Sequence, residues 1–545
     1  MRISRSPVDS PLLFVSAAAV AIALSCSKGD SNVASSPIDG GVSNDTAAID
    51  SPGGEAECSG TQLSCAGACV DVSSSAANCG GCGKACAGSC CEGACVEGGD
   101  CTFAITRVSP DAGWQNGGEW LELEGQGFVE GMRVSIGAGV APVLVRSASR
   151  AIVQTPPGPF GPTTVKLALG SKTALTRGAF RYTASGLSTP WQQKPLAKLR
   201  GEFPGVAVMQ DGRVLVAGGT VQPDHPEKSL DTAEIYTRAT DKVTTSLGKM
   251  SSPRWRNAAL TLLSGKVLVL GGACWQPGTG CTGDPQTADL YDPTTDLFSP
   301  TKGKPNKPRV DPHLVMLADG RVFVTSSNDP SIELYDPKTD SFTLVDHGTL
   351  HDDGFAVRLL DGRVLFGTGS AGRTDCELFD PDTSTFKPTK TNVNDVRWWP
   401  NAHTLPDGRV LLVGGYGGSA SAGGAWTTVD TIEAFDPKSE SFTKLPYKLT
   451  IGRASPSTAL VRDGTVLVMG GYTKPGDCAS MSATVDQIDP VKGTVSVFAR
   501  LPNTNTEWNA VTLLDGSVLS VGGGECGALT SLPDIDFLPG LPGPK

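Results

Sequence analysis

Along its C-terminal two thirds the chain alternates short apolar runs with turn-forming clusters, and the alternation repeats. The clearest unit is Asp211-Gly-Arg-Val-Leu-Val-Ala-Gly-Gly219: an Asp-Gly turn, an apolar run of strand length, then paired glycines. It recurs with drift at Ser264–Gly272, Asp319–Ser327, Asp361–Gly369, Asp407–Gly415, Asp463–Gly471 and Asp515–Gly523. The turn glycines at 212, 265, 320, 362, 408, 464 and 516 are 53, 55, 42, 46, 56 and 52 residues apart. Short apolar runs bounded by Gly, Pro and Asp read as strands. A period of this length built only from strands and turns marks a propeller or array.

Each repeat has a second half, exemplified by Leu290-Tyr-Asp-Pro-Thr-Thr-Asp-Leu-Phe298, Leu334-Tyr-Asp-Pro-Lys-Thr-Asp-Ser-Phe342 and Ala434-Phe-Asp-Pro-Lys-Ser-Glu-Ser-Phe442. Proline fixes φ and donates no ladder bond, so Asp-Pro ends one strand and sets a turn into the next. A repeat is thus four antiparallel strands. The seventh copy lacks its fourth strand, whereas Trp191–Leu196, ahead of the first copy, matches the fourth-strand pattern Phe442-Thr-Lys-Leu-Pro446. That segment is expected to complete the last blade and close the ring, which protects sheet edges. Glycine pair, Tyr-Asp-Pro turn and following aromatic resemble the kelch motif over residues 188–545. The fold class implied is all-β: a seven-bladed kelch β-propeller with an N-terminal β-sandwich and a small disulfide-rich module.

Upstream, residues 102–184 hold alternating runs such as Trp120-Leu-Glu-Leu-Glu124 and Arg133-Val-Ser-Ile136, the pattern of a half-buried sandwich. Gly117-Gly118, Gly125-Gln-Gly-Phe128, Thr155-Pro156 and Phe180-Arg-Tyr182 resemble the IPT/TIG immunoglobulin-like domain, a spacer or interaction module. Residues 58–101 contain ten cysteines, too dense for a hydrophobic core. Five disulfides are the expected staples, with connectivity open; Cys79-Gly-Gly-Cys82 also has zinc-like spacing. The cysteine pattern is similar to modules of myxobacterial surface proteins. Residues 1–26 read as a lipoprotein-type signal peptide: Arg2 and Arg5, the apolar run Leu12–Leu24, then Cys26 as the lipidated residue. The competing reading is an ordinary cleaved signal with an incidental cysteine. Residues 27–57, rich in Ser, Asp, Gly and Ala, read as a disordered tether.

A net charge of −11 argues against nucleic acid, which needs a basic footprint. Within the propeller, Cys274 and Cys281 are expected to pair, Cys478 and Cys526 to bridge neighbouring blades, and Cys376 to be a buried thiol. Connectivity places the long variable loops and the lead-in to each blade on the face opposite the Asp-Gly and Asp-Pro turns. That face carries Arg254, Arg309, His351, Arg397 and Arg453, together with Trp255, Trp275, Trp398, Trp399, Trp426 and Trp508. Aromatic rings beside guanidinium donors suit sugar rings or peptide segments. The competing reading has the arginines bonding backbone carbonyls and the tryptophans packing between blades.

A galactose oxidase-like site would need copper held by tyrosine and histidine. The chain has five histidines and no Tyr-His pair. Sialidase boxes and Gly-x-Ser-x-Gly are absent. His351-Asp352-Asp353 reads as a solvated turn ahead of a metal site. The expectation is therefore a non-enzymatic, monomeric protein of the outer membrane or cell surface, held to the membrane by its lipid alone. It has no cofactor or metal, and it binds a carbohydrate or protein ligand through the loop face. The alternatives are a structural envelope component or a copper oxidase.

Overall fold

A computed structural model describes residues 58–538 except 59–61, 92, 97–100, 185–191, 197–199, 201–202, 222–228, 277–280, 284, 346, 348, 350, 370–371, 419–425, 476, 478–479, 502–508 and 522–533. Its regular elements are β-strands throughout. The predicted signal segment with Cys26, and the tether, lie outside the described residues, as do Cys478, Cys526 and Trp508.

The cysteine-rich region is stapled by Cys58–Cys69, Cys65–Cys82, Cys79–Cys90, Cys86–Cys95 and Cys91–Cys101. Cys79 and Cys82 are spent in different disulfides, which removes the zinc alternative for that pair. Next come a four-stranded and a five-stranded sheet formed by strands between Ala104 and Thr183. Trp120–Gln126 alternates half-buried and buried positions, as its sequence pattern predicts. Leu121, Leu123, Val134, Val153, Leu167 and Phe180 meet in one core.

Seven four-position antiparallel blades follow. In the last, Gln192–Pro195 pairs with Asp534–Leu538, with Gln192 opposite Phe537, so the predicted closure holds. Second strands such as Val214–Ala217, Val267–Leu270 and Val410–Val413 are buried at every position, because each blade is covered on both faces. Seven apolar clusters each join neighbouring blades, including the one that joins Leu513 and Leu519 of the last to Val214 and Val216 of the first. Each Å² of apolar surface removed from water contributes about 25 cal/mol, so these clusters stabilise the ring blade against blade.

Local chemistry sets the turns. Asp211 Oδ1 accepts the Arg213 backbone N–H at 3.0 Å, and Arg213 Nη2 donates to Pro293 O, 2.8 Å away in the next blade's Asp-Pro turn. Arg321 and Arg409 repeat this with Pro381 and Pro490. In the first three blades the tyrosine before Asp-Pro or its equivalent donates to an aspartate five residues on, as Tyr291 does to Asp296 at 2.8 Å.

The sandwich docks on this turn face. Val143 N–H donates to Ala318 O at 3.1 Å and Val140 N–H to Leu360 O at 2.6 Å, while the Arg462 guanidinium lies 3.6 Å from the Trp114 ring centroid. A cavity of about 290 Å³ is bounded by Trp114, Glu119 and Trp120 of the sandwich and by Val208, Thr261 and Thr512 of the inner strands. The sandwich thus covers that end of the axial channel, and among the described residues no domain covers the opposite face.

Candidate functional site

The lead-in arginines do not reach the open face. Arg254, Arg309, Arg397 and Arg453, with Arg200, have side chains without exposed area. Each meets a carboxylate on its own blade's third strand: Arg254–Asp289 at 2.7 Å, Arg309–Glu333 at 2.6 Å, Arg397–Glu433 at 3.1 Å, Arg453–Asp486 at 3.1 Å and Arg200–Glu234 at 3.4 Å. Four of them also donate to the carbonyl of the first glycine in the pair, as Arg453 does to Gly470 O at 2.9 Å. This explains the glycines. At Gly271, φ is 71° and an added Cβ would lie 2.2 Å from Arg309 O of the next lead-in. The guanidiniums tie each lead-in to its own blade and are removed from the ligand-binding set.

Blade four departs from this scheme. His351 stands at the arginine position and its Nδ1 donates to Thr368 O at 3.2 Å, the carbonyl equivalent to that of the first glycine. Its Nε2 lies 3.0 Å from Glu377 Oε2. His347 places Nε2 2.6 Å from the same oxygen and Nδ1 3.2 Å from Pro330 O. Neither Asp352 nor Asp353 completes this cluster, and His351 leaves the ligand face, its side chain only 6% exposed. Burial opposes the Glu377 charge, but when the imidazoles of His347 and His351 are protonated and donate to it, their hydrogen bonds outweigh burial and hold the carboxyl down at about 2.

A second ring of residues lies two positions beyond (three in blade one), at the channel mouth. Phe203, Arg256, Asp311, Asp353, Trp399 and Ser455 occupy equivalent places in six blades. All have left-handed backbones, with φ of 43°, 56°, 45°, 56°, 45° and 46°. Non-glycine residues there are strained, and such strain clusters at functional sites. Backbone bonds link the ring: Arg256 N–H to Phe203 O, Asp311 N–H to Arg256 O, and Trp399 N–H to Asp353 O. Arg256 and Asp311 form an ion pair. Burial, with help from the Asp311 charge, pushes the Asp353 carboxyl up to about 6. A cavity of about 260 Å³ opens here, lined by Arg256, Asn257, Asp311, His313, Trp399 and Asn401 among others.

Beside the mouth lies an aromatic patch. Trp399 meets Tyr416 with ring centroids 5.8 Å apart, Tyr416 meets Trp426 at 5.7 Å, and Trp398 meets Trp426 edge-on at 4.6 Å. Trp426 is 43% exposed, whereas Trp398 keeps only 9% and serves as the patch's floor. Trp255 is half-buried under the Arg256 guanidinium, 5.6 Å from its centroid. The structure thus brings Trp398, Trp399 and Trp426 together and leaves Trp255 apart. Trp275 belongs by its backbone to the hairpin Cys274–Gln276/Cys281–Gly283; its side chain lies outside the described residues, as does that of Cys281. Cys274 is disulfide-bonded. Cys376 is a free, buried thiol that burial pushes well above its ordinary range.

Sequence reasoning missed the channel-mouth ring. Its members share a backbone conformation and no side-chain chemistry, so nothing in the residue types signals them.

Residues 104–183 match the IPT/TIG domain and residues 402–448 the Kelch motif. No curated protein matches the chain in sequence. A fungal alcohol oxidase with catalytic diversity among the AA5 family, solved in complex with copper, is similar in structure. Its TM-score is 0.50 at 17% identity, covering 64% of this chain and 76% of that one. YjhT aligns with a TM-score of 0.42 at 14% identity over 55% of this chain and 99% of its own. The chain therefore carries an IPT/TIG domain and a kelch motif in an all-β fold. Likeness at such identity shows fold, and fold does not fix function. Among the described residues the channel-mouth lining offers one imidazole, His313, and no tyrosine, so it does not fit a tyrosine–histidine copper set.

Proposed function

We propose that this chain is an exported, lipid-anchored binding protein whose open propeller face takes a carbohydrate ligand at the cell envelope, without catalysis. The observation that carries the reading is the continuity of two surfaces. Trp399 lines the polar cavity and also touches the aromatic patch that ends in exposed Trp426. Sugar rings offer C–H faces that stack on indoles and hydroxyls that bond amide and carboxylate groups, here Asn257, Asn401 and the Arg256–Asp311 pair. The sandwich covers the far end of the channel, leaving this face for the ligand.

The test is intrinsic fluorescence of the full mature chain titrated with a panel of envelope and extracellular polysaccharides. A saturable change that is lost in both Trp426→Ala and Asn401→Ala is expected. A flat response across the panel removes the carbohydrate reading and leaves a protein partner. Anchoring is checked separately: Cys26→Ser should move the protein from the membrane to the soluble fraction.

A further inference from the structure

The apolar position four residues ahead of each lead-in arginine is filled by Met250, Val393 and Leu449 in blades two, five and six, all buried. In blade four that position is His347, and the arginine itself is His351. Two departures from the repeat therefore fall in one blade and converge on one oxygen, Glu377 Oε2, at 2.6 and 3.0 Å. In the sister blades the matching carboxylate receives backbone N–H groups, as Glu433 does from Asn394 at 2.8 Å and Asp395 at 3.1 Å. In blade four two imidazole nitrogens stand against it.

The tautomers sharpen the point. Each Nδ1 faces a backbone carbonyl, Pro330 O or Thr368 O, at 3.2 Å, and a carbonyl can only accept. Each Nδ1 therefore carries hydrogen, and the neutral ring presents its Nε2 lone pair to the carboxylate. A proton on one Nε2 would satisfy only one of the two contacts, and protonating both would set two cations on one anion, with the imidazoles 5% and 6% exposed. A bound cation removes the conflict. A histidine that ligates through one nitrogen while the other donates to a carbonyl is the usual arrangement at metal centres.

We propose that His347, His351 and Glu377 bind one divalent transition-metal ion of the zinc class. Two neutral imidazoles and one carboxylate form a nitrogen–oxygen donor set suited to such an ion. The three donor atoms lie within 4.8 Å of one another. With metal–ligand bonds of about 2.0–2.1 Å in a tetrahedron, donors sit about 3.3 Å apart, so binding would draw the carboxylate back from 2.6 and 3.0 Å and settle the two imidazoles around the ion. Glu377 keeps 16% exposure, so its carboxylate is in contact with solvent. Phe386 and Phe366 pack on the His347 ring at 4.4 and 5.4 Å and fix its orientation.

The test uses the full chain stripped with chelator. Titration with Co²⁺ should give a saturable visible d–d absorption at one equivalent, and Zn²⁺ should displace it. His351→Arg restores the residue found in the sister blades, and His347→Leu the residue found in blade six, so both variants should fold. Each should weaken Co²⁺ binding by at least about tenfold. Absence of a saturable signal in the wild-type chain would overturn the site. So would a signal that survives in His347→Leu and His351→Arg, or a thiolate charge-transfer band that assigns the ion to cysteine.

Discussion

Blade five ties its lead-in to its third strand through Arg397 and Glu433, neither with exposed side-chain area, while blade four uses His347, His351 and Glu377 at 5%, 6% and 16% exposure. The architectural task is the same, because the carbonyl after the second strand and the carboxylate of the third strand both need a donor. Arginine performs it with a charge that is always present and a fork that reaches both acceptors at once. Histidine performs it only with a proton or a metal ion in place. A repeat protein shows such substitutions against its own sister copies, so a change of chemistry at a fixed structural task marks where a second role has entered.

The sharpest way to break the comparison is to remove the cation from each blade. Arg397→Leu strands the Glu433 charge in a site without solvent. Breaking a buried pair from one side costs about 3–5 kcal/mol. His351→Leu leaves Glu377 with His347 and partial solvent, so about 1–2 kcal/mol is expected in metal-free protein. Urea midpoints measured side by side decide it. Equal losses would mean that the two blades are closed by the same energetics despite their different residues.

A histidine without a carboxylate extends the contrast. His403, on the first strand of blade five, bonds Thr458 Oγ1 at 2.7 Å, and burial pushes it down to about 4. Its folded pKa is depressed below the unfolded value near 6.5, so the unfolded chain takes up the proton first. Stability from this group is complete above about pH 6.5 and falls as pH drops towards 4. His403→Gln keeps a hydrogen-bonding partner for Thr458 and does not titrate. Between pH 7 and pH 4.5 the wild-type chain should lose about 1–2 kcal/mol more than this variant. Parallel stability curves would show that the ring is not held neutral by its surroundings.

The blades were legible because their signals are local. An Asp-Gly turn, a four-residue apolar run and an Asp-Pro turn each act within a few residues, and repetition averages out drift. Closure by Gln192–Pro195 was legible for the same reason, as a fourth-strand pattern displaced to the front of the repeats. The lead-in arginines were placed on the correct rim but given the wrong direction. Their inward turn depends on carboxylates some 24 to 36 residues away in sequence, such as Glu333 for Arg309 and Glu433 for Arg397. A signal existed: an acid stands two residues before the aromatic of the turn in Glu234-Ile-Tyr, Asp289-Leu-Tyr, Glu333-Leu-Tyr, Glu377-Leu-Phe and Glu433-Ala-Phe. An acid that recurs on a buried strand demands a cation, and the lead-in arginines are the supply. The strained ring at the mouth had no such signal, since φ above zero leaves no mark when the residues are Phe, Arg, Asp, Trp and Ser.

The smallest expected effect tests burial itself with the same pair of residue types. Arg409 and Asp407 stand 2.7 Å apart at the turn of blade five, with side chains 33% and 46% exposed. Asp407 Oδ1 also accepts the Arg409 backbone N–H at 3.0 Å, which shapes the turn. Asp407→Asn keeps that acceptor and removes only the charge. Exposed ion pairs are screened by water and salt, so the loss should stay under about 0.5 kcal/mol and shrink further in high salt. Arg397→Leu, in the same blade, should be almost insensitive to salt because its partner is sealed from solvent. If the Asp407→Asn loss approached that of Arg397→Leu, proximity alone would set the strength of these pairs. The distinction between conditional and permanent charge in blade four would then lose its basis.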